Sequence, residues 1–255
     1  MLNGTHLKNT WKKIYFHPKI EKSYFTCEKK GIGIWLKSRH SGRLTGVHGN
    51  EWITTSTLTW MVKQLTENPD RRYDCILEQF DWYFAPVMNP DGYEYSHVVD
   101  RMWRKTRTDY SSLLSKSPGG SSVRKLRFDD NDHEEECRGA DVNRNFEFQW
   151  RKGGSSTNVC SGAFAGVRPF SEPESQALGH FLLKRKKEVA MYVSLHSYAQ
   201  MWLLPWGYTE TKPDDFKKLF SLAKIGASAL RRIHNTTYLI GTVPDLLYVA
   251  SGPIS

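Results

Sequence analysis

No run of eighteen or more apolar residues occurs in the 255-residue chain, which excludes a transmembrane helix. The opening Met1-Leu2-Asn3-Gly4-Thr5-His6-Leu7-Lys8 lacks an apolar h-region, so no signal peptide is read there. Cysteine is scarce: Cys27, Cys75, Cys137 and Cys160 form no C-x-x-C pair, which argues against a structural zinc site built on thiolates. Cys137 and Cys160 do close a loop suited to a disulfide, worth about 3 kcal/mol on a chain-entropy account.

What is present describes a globular domain. Nine Trp and twelve Tyr within a 39% hydrophobic composition supply a substantial core, and the length fits one large domain. The net charge of +9 raises the question of a polyanion partner. Lys and Arg are dense only at Arg101–Arg107 and Lys184–Lys187, and the second cluster ends a helical pattern, where cations suit the helix dipole. The charge therefore reads as a solvated basic surface, with no nucleic acid expected. Asn3-Gly4-Thr5 and Asn235-Thr236-Thr237 are N-glycosylation sequons, which would suit an exported protein.

Periodicity predicts strands alternating with helices. Gly31–Lys37 reads as a short strand, and Ile53, Trp60, Met61 and Leu65 mark a helix closed by Asn68-Pro69. Phe80–Val87 is strand-like, and Asn89-Pro90-Asp91-Gly92 is a turn signal. Residues 108–136 form a polar surface loop. Ser171-Glu172-Pro173-Glu174 reads as a capping box before a helix with Ala177, Leu178, Phe181 and Leu182 inward. Glu188–Leu195 is short and nearly all apolar, as a strand buried on both faces would be. Phe216, Leu219, Phe220, Ala223, Ala227 and Leu230 mark another helix. Alternation of this kind indicates an α/β sheet, whose ligands collect beyond the carboxyl ends of its strands. His196 stands at such an end.

The chemistry-bearing residues begin with His48 and Glu51, spaced to place both side chains on one side of a turn, where they can share an ion. Further on come Asn89-Pro90-Asp91-Gly92-Tyr93, Arg101-Met102-Trp103-Arg104-Lys105-Thr106-Arg107 and Asp141-Val142-Asn143-Arg144-Asn145-Phe146. Pro169-Phe170-Ser171-Glu172-Pro173-Glu174, Leu195-His196-Ser197-Tyr198, Leu204-Pro205-Trp206-Gly207-Tyr208 and Tyr248-Val249-Ala250-Ser251-Gly252 follow. This ordered set resembles the carboxypeptidase A/B family of zinc metallocarboxypeptidases over roughly residues 46 to 252.

The resemblance implies an α/β fold with a mixed, mostly parallel central sheet flanked by helices. It divides the chain into an unmatched segment 1–30 and a single, incomplete peptidase domain 31–255. It implies one Zn2+ held by His48, Glu51 and His196, with an open position for water. Asn143 and Arg144 match the clamp for a substrate's free C-terminal carboxylate, Arg104 the stabiliser of the developing oxyanion, Tyr248 the Tyr that closes over substrate. Ser197 and Tyr198 match a neighbouring subsite. The implied function is zinc-dependent hydrolysis of the C-terminal peptide bond of peptides and proteins, by a monomer in an extracellular setting.

The chain also departs from the pattern. Asn50 stands where the family typically has Arg, so an extra substrate contact is expected to be missing. Arg43-Leu44-Thr45-Gly46-Val47 reads as too short and polar for a buried central strand before His48. No Glu follows Glu210, so the family's general-base Glu has no counterpart, and its C-terminal strand and helix are read as missing. The pattern suggests a truncated family member. An impaired homologue that binds peptide C-termini is the alternative, and a basic polyanion binder the remote one.

Overall fold

The computed structural model describes residues 43–68, 71–114 and 137–250. The strand expected at Gly31–Lys37, most of the polar stretch 108–136, Cys27 and Ser251–Ser255 lie outside these. The chain is α/β, as expected. Every described strand pairing is parallel, and the strands fall into a three-stranded and a two-stranded sheet.

The short strand before His48 is the central one, contrary to the sequence reading. β1 (Arg43–Gly46) lies between β2 (Tyr83–Ala85) and β3 (Val193–Leu195), with Thr45 opposite Ala85 and Gly46 opposite Leu195. Four residues suffice because both edges of the strand are hydrogen-bonded. Val47, just past it, is fully buried among Met88, Val142, Phe146 and Leu178.

α1 (Trp52–Glu67) follows at once and ends on Asn68 in the left-handed conformation, with its N–H on the Gln64 carbonyl. Its buried stripe differs from the expected one. Thr54 and Leu58 are buried, while Ile53 and Trp60 are 62% and 59% exposed. The small Thr54 faces the sheet because its hydroxyl occupies the space a side chain at Gly46 would need. Ile53 and Trp60, seven residues apart, share the outward face.

After α2 (Asp74–Gln79), the strand expected at Phe80–Val87 shrinks to β2. The expected turn at Asn89–Gly92 is instead the start of α3 (Pro90–Val98). Asn89 caps it by accepting from the Gly92 N–H at 2.9 Å, and Pro90 enters the first turn, where its missing N–H costs nothing. Turn and helix-start signals share these residue types. Past α4 (Ser111–Leu114), α5 (Pro173–Lys184) forms where predicted, but Glu172 is its N-cap and no side chain completes a capping box. Ala177 is exposed; Ser175, Leu178 and Gly179 face inward.

The apolar run 188–195 contributes only Val193–Leu195 to β3, and these residues are half-buried rather than buried on both faces. Among the described residues β3 pairs on one side only, with β1. β4 (Met201–Leu204) pairs with β5 (Leu239–Thr242), the two bridged by α6 (Phe216–His234), whose Ala223 and Ala227 are buried as predicted. α7 (Val243–Leu246) leads to Tyr248. Cys137 and Cys160 are disulfide-bonded, beside a second core cluster of Tyr110, Ala140, Val159 and Phe164. No helix among the described residues is long and apolar enough to cross a membrane.

Candidate active site

The parallel register of β1 and β3 brings the first site residues together. Gly46 pairs with Leu195, so His48 and His196 both emerge at the carboxyl ends of adjacent strands. Glu51 sits one turn beyond His48, at the N-cap of α1. Donor atoms of His48, Glu51 and His196 all lie within 4.8 Å of one another. His48 Nδ1 is 2.8 Å from Glu51 Oε1 and 3.1 Å from His196 Nδ1, which is itself 3.1 Å from Glu51 Oε2.

Electrostatics prepares these groups as ligands. Burial pushes the Glu51 carboxyl up, but the hydrogen bonds from His196 and His48 outweigh it and hold the group at about 2. His196 keeps a third of its side chain accessible. Its inner nitrogen is packed against Glu51 and His48, and that loss of water lowers its pKa, the hydrogen bond to Glu51 offsetting only part of it. At neutral pH the cluster is thus a carboxylate beside an unprotonated His196.

Asp141 is a site residue that sequence reasoning missed. Wholly buried, its Oδ1 lies 3.1 Å from His48 Nε2 and accepts from the Asn143 N–H at 2.8 Å. Its Oδ2 accepts two bonds from Arg104, from Nε at 3.1 Å and Nη2 at 3.0 Å. Burial opposes its ionisation, yet Arg104 and His48 hold it well below the usual carboxylate range. A carboxylate on the far nitrogen of a histidine fixes ring orientation and tautomer, as in many metal sites. The available signal was its place at the head of the Asp141-Val142-Asn143-Arg144 motif; its partners lie 93 and 37 residues away.

The basic cluster Arg101–Arg107 is only partly a solvated surface: Arg101 is exposed, while others of its cations pack inward. Arg104 turns inward, with Nη1 3.6 Å from Glu51. Lys105 is buried and donates to the Val159 carbonyl at 2.7 Å, while Arg101 and Arg107 stack over Trp52 and Tyr95 at 3.8 and 3.6 Å. The segment is pinned by backbone: Gly49 N–H donates to the Arg104 carbonyl at 3.2 Å, and Asn89 Nδ2 to that of Lys105 at 2.9 Å. Behind it, the buried Glu172 accepts from Thr106 at 2.5 Å, Thr108 at 2.7 Å, Ser171 at 2.9 Å and Tyr110. Its N–H donates to Asn145 Oδ1, joining this segment to the one carrying Asn143 and Arg144.

Asn143 and Arg144 occupy a single 3-10 turn, Val142–Arg144, capped by Asp141. Arg144 is buried, its Nε on the Gly154 carbonyl and Nη1 on that of Asn143, both at 3.0 Å. Its Nη2 donates to the Tyr248 hydroxyl at 3.3 Å. Tyr248, 57% exposed, thereby reaches Arg144 from 104 residues away. Ser197 and Tyr198 follow His196, but Tyr198 is 98% exposed, and among the described residues neither hydrogen-bonds to the cluster.

Residues 44–255 match the profile of the zinc carboxypeptidase family. The chain belongs to that family. Carboxypeptidase B of Astacus astacus is 38% identical over 207 residues, covering 81% of this chain and 61% of the relative. Zinc carboxypeptidase A 1 of Anopheles gambiae is 35% identical over 207 residues, 42% of its length. In three dimensions the chain is similar to bovine thrombin-activatable fibrinolysis inhibitor in complex with tick carboxypeptidase inhibitor. That match has a TM-score of 0.70 and 32% identity over 86% of this chain and 66% of the other. The chain thus spans roughly half the length of these relatives.

The donor set fits the zinc that the family implies. Donors at about 2.0–2.1 Å from tetrahedral zinc stand about 3.3 Å apart, and the spacings here are 2.8, 3.1 and 3.1 Å. Two imidazole nitrogens facing each other beside a carboxylate are well arranged around a shared cation.

Proposed function

We propose that the chain supplies the zinc- and carboxylate-binding residues of a metallocarboxypeptidase. It hydrolyses the C-terminal bond of peptides and proteins, and works as an exported monomer. One observation carries the reading: His48, Glu51 and His196 converge beside the inward guanidinium of Arg104.

Bound by those three residues, zinc supplies Lewis acidity, polarising a carbonyl and acidifying a water. The chain's own residues do the rest. Asp141 orients His48 and anchors Arg104. Arg104 stands where a guanidinium can meet negative charge developing beside Glu51, the usual route to large rate gains in acyl transfer. Arg144, with Asn143, offers planar donors to a free carboxylate, and a guanidinium fork binds such a group in two places. Tyr248 covers that donor and must part from it as substrate enters. Ser197 and the exposed Tyr198 flank the next subsite.

Glu51 and Asp141, the carboxylates at the centre, are both engaged, so neither is assigned as general base. That engagement favours, as second reading, a homologue that holds peptide C-termini without turnover. Metal analysis together with hydrolysis of a peptide bearing a free or an amidated C-terminus separates the two. One zinc per chain, and release of the last residue from the free peptide alone, is expected. Binding of the free peptide with no release supports the second reading, a protein that takes up no zinc overturns the first, and one that neither cleaves nor binds the free peptide overturns both.

A further inference from the structure

We infer that Asn235 is an N-glycosylation site, carrying an oligosaccharide on its side-chain amide nitrogen. Asn235-Thr236-Thr237 has the acceptor pattern, an Asn followed two residues later by a hydroxyl with no Pro between. A pattern that short arises by chance, so the structure has to carry the assignment.

Asn235 is the C-cap of α6, in the left-handed conformation at φ 52°, with its backbone N–H on the Arg231 carbonyl. Asn tolerates that conformation better than most residues, which by itself would explain its presence. Asn68 shows what a purely structural Asn does in the same place. At the end of α1, also left-handed, its amide donates to Asp74 at 2.7 Å and its carbonyl oxygen accepts from the Tyr73 N–H at 2.9 Å. Asn235 differs: its side chain is exposed, and no hydrogen bond holds it among the described residues. Capping needs its backbone only, so the amide is open to modification.

The rest of the triplet agrees. Thr237 is exposed, and residues 235–238 form an irregular link between α6 and β5. A bulky hydrophilic group there displaces no core side chain and breaks no ladder bond. Its surroundings gain from cover, since Ile233 is 72% and Leu239 54% exposed. The other sequon, at Asn3, lies outside the described residues. The compartment also fits: Cys137–Cys160 is bridged and Cys75 is disulfide-bonded, as in chains that mature in an oxidising lumen.

In the transfer, Asn235 Nδ2 forms a bond to the anomeric carbon of a lipid-pyrophosphate-linked oligosaccharide. The bond from that carbon to the pyrophosphate oxygen breaks, the lipid pyrophosphate leaves with the electron pair, and the nitrogen gives up one proton. No redox partner is required. The proposal rests on export, part of the functional reading above, and its test keeps the two apart. The full chain is expressed in animal cells, and tryptic peptides of the total product are mapped before and after peptide N-glycosidase.

The expected result is carbohydrate on the Asn235 peptide, with Asn235 converted to Asp by the enzyme. Thr237→Ala abolishes the modification and Thr237→Ser keeps it, a pair that separates sequon chemistry from any fault in folding. The Cys137–Cys160 linkage is read in the same digest. A bridged pair with a bare Asn235 overturns the proposal while export stands. Free thiols with a bare Asn235 overturn both.

Discussion

At the residue scale, the buried and half-buried carboxylates of this chain divide by what they face. Asp141 and Glu51 meet cationic or hydrogen-bonding partners and ionise easily, whereas Glu174 does not. Burial, with repulsion from Glu172 and Asp91, pushes Glu174 up to about 7, and its Oε2 has no hydrogen-bond partner among the described residues. Its folded pKa exceeds the ordinary value of 4.5, so the folded chain binds the extra proton between those pH values. Stability linked to this group is present below about pH 4.5 and lost as pH rises through about 7, up to roughly 3 kcal/mol. Glu174→Gln is therefore expected to raise the melting temperature at pH 8 and leave it nearly unchanged at pH 5. Equal effects at both pH values would refute the assignment.

Asp141 makes the opposite prediction. Asp141→Asn keeps its shape but removes the charge that faces both His48 and Arg104. Zinc affinity, measured by competition with a chelator, should fall about 10- to 100-fold. The convergence of His48, Glu51 and His196 was legible only through the ordered family motifs, since a His and a Glu three apart and a His ending an apolar run carry little signal by themselves. Asp141 was not, since what marks it is burial between partners distant in the chain.

At the scale of elements, the loop from His48 to Glu51 packs on α3 so closely that no side chain fits at Gly49. A Cβ there would fall on the Gly92 carbonyl and come within 2.9 Å of the Trp103 carbonyl oxygen. Gly49→Ala should cost about 1–3 kcal/mol in urea unfolding, and the strain would reach Arg104, whose carbonyl Gly49 bonds. Normal stability in that variant would show the contact to be loose. The existence of α1, α5 and α6 could be read from apolar spacing, but the inward face of α1 could not. Thr54 is inside because it is small enough for β1, and periodicity alone ranks Ile53 and Trp60 above it. β1 escaped for a similar reason: four residues carry almost no pattern, and what makes them central is their pairing with residues 83–85 and 193–195.

For the whole molecule, the +9 charge bears on the proposed function, in which Arg104 and Arg144 meet negative groups of the substrate. On that reading a peptide ending in a carboxylate is drawn by the net positive charge of the whole chain, and such steering weakens with ionic strength. kcat/KM for a free-acid peptide should fall as salt rises from about 0.01 to 0.15 M, mainly through KM. A flat response would show that these cations act only at contact range.

The pairing of Gly46 with Leu195 has a consequence for how such a chain can diverge. His48 and His196 are 148 residues apart, yet their distance is set by two neighbouring strands and not by anything between them. Crossover helices and surface excursions in that interval can lengthen, shrink or be exchanged without moving either imidazole, so long as the ladder holds its register. A slip of one residue in four would do what no insertion can: turn both donors away from each other.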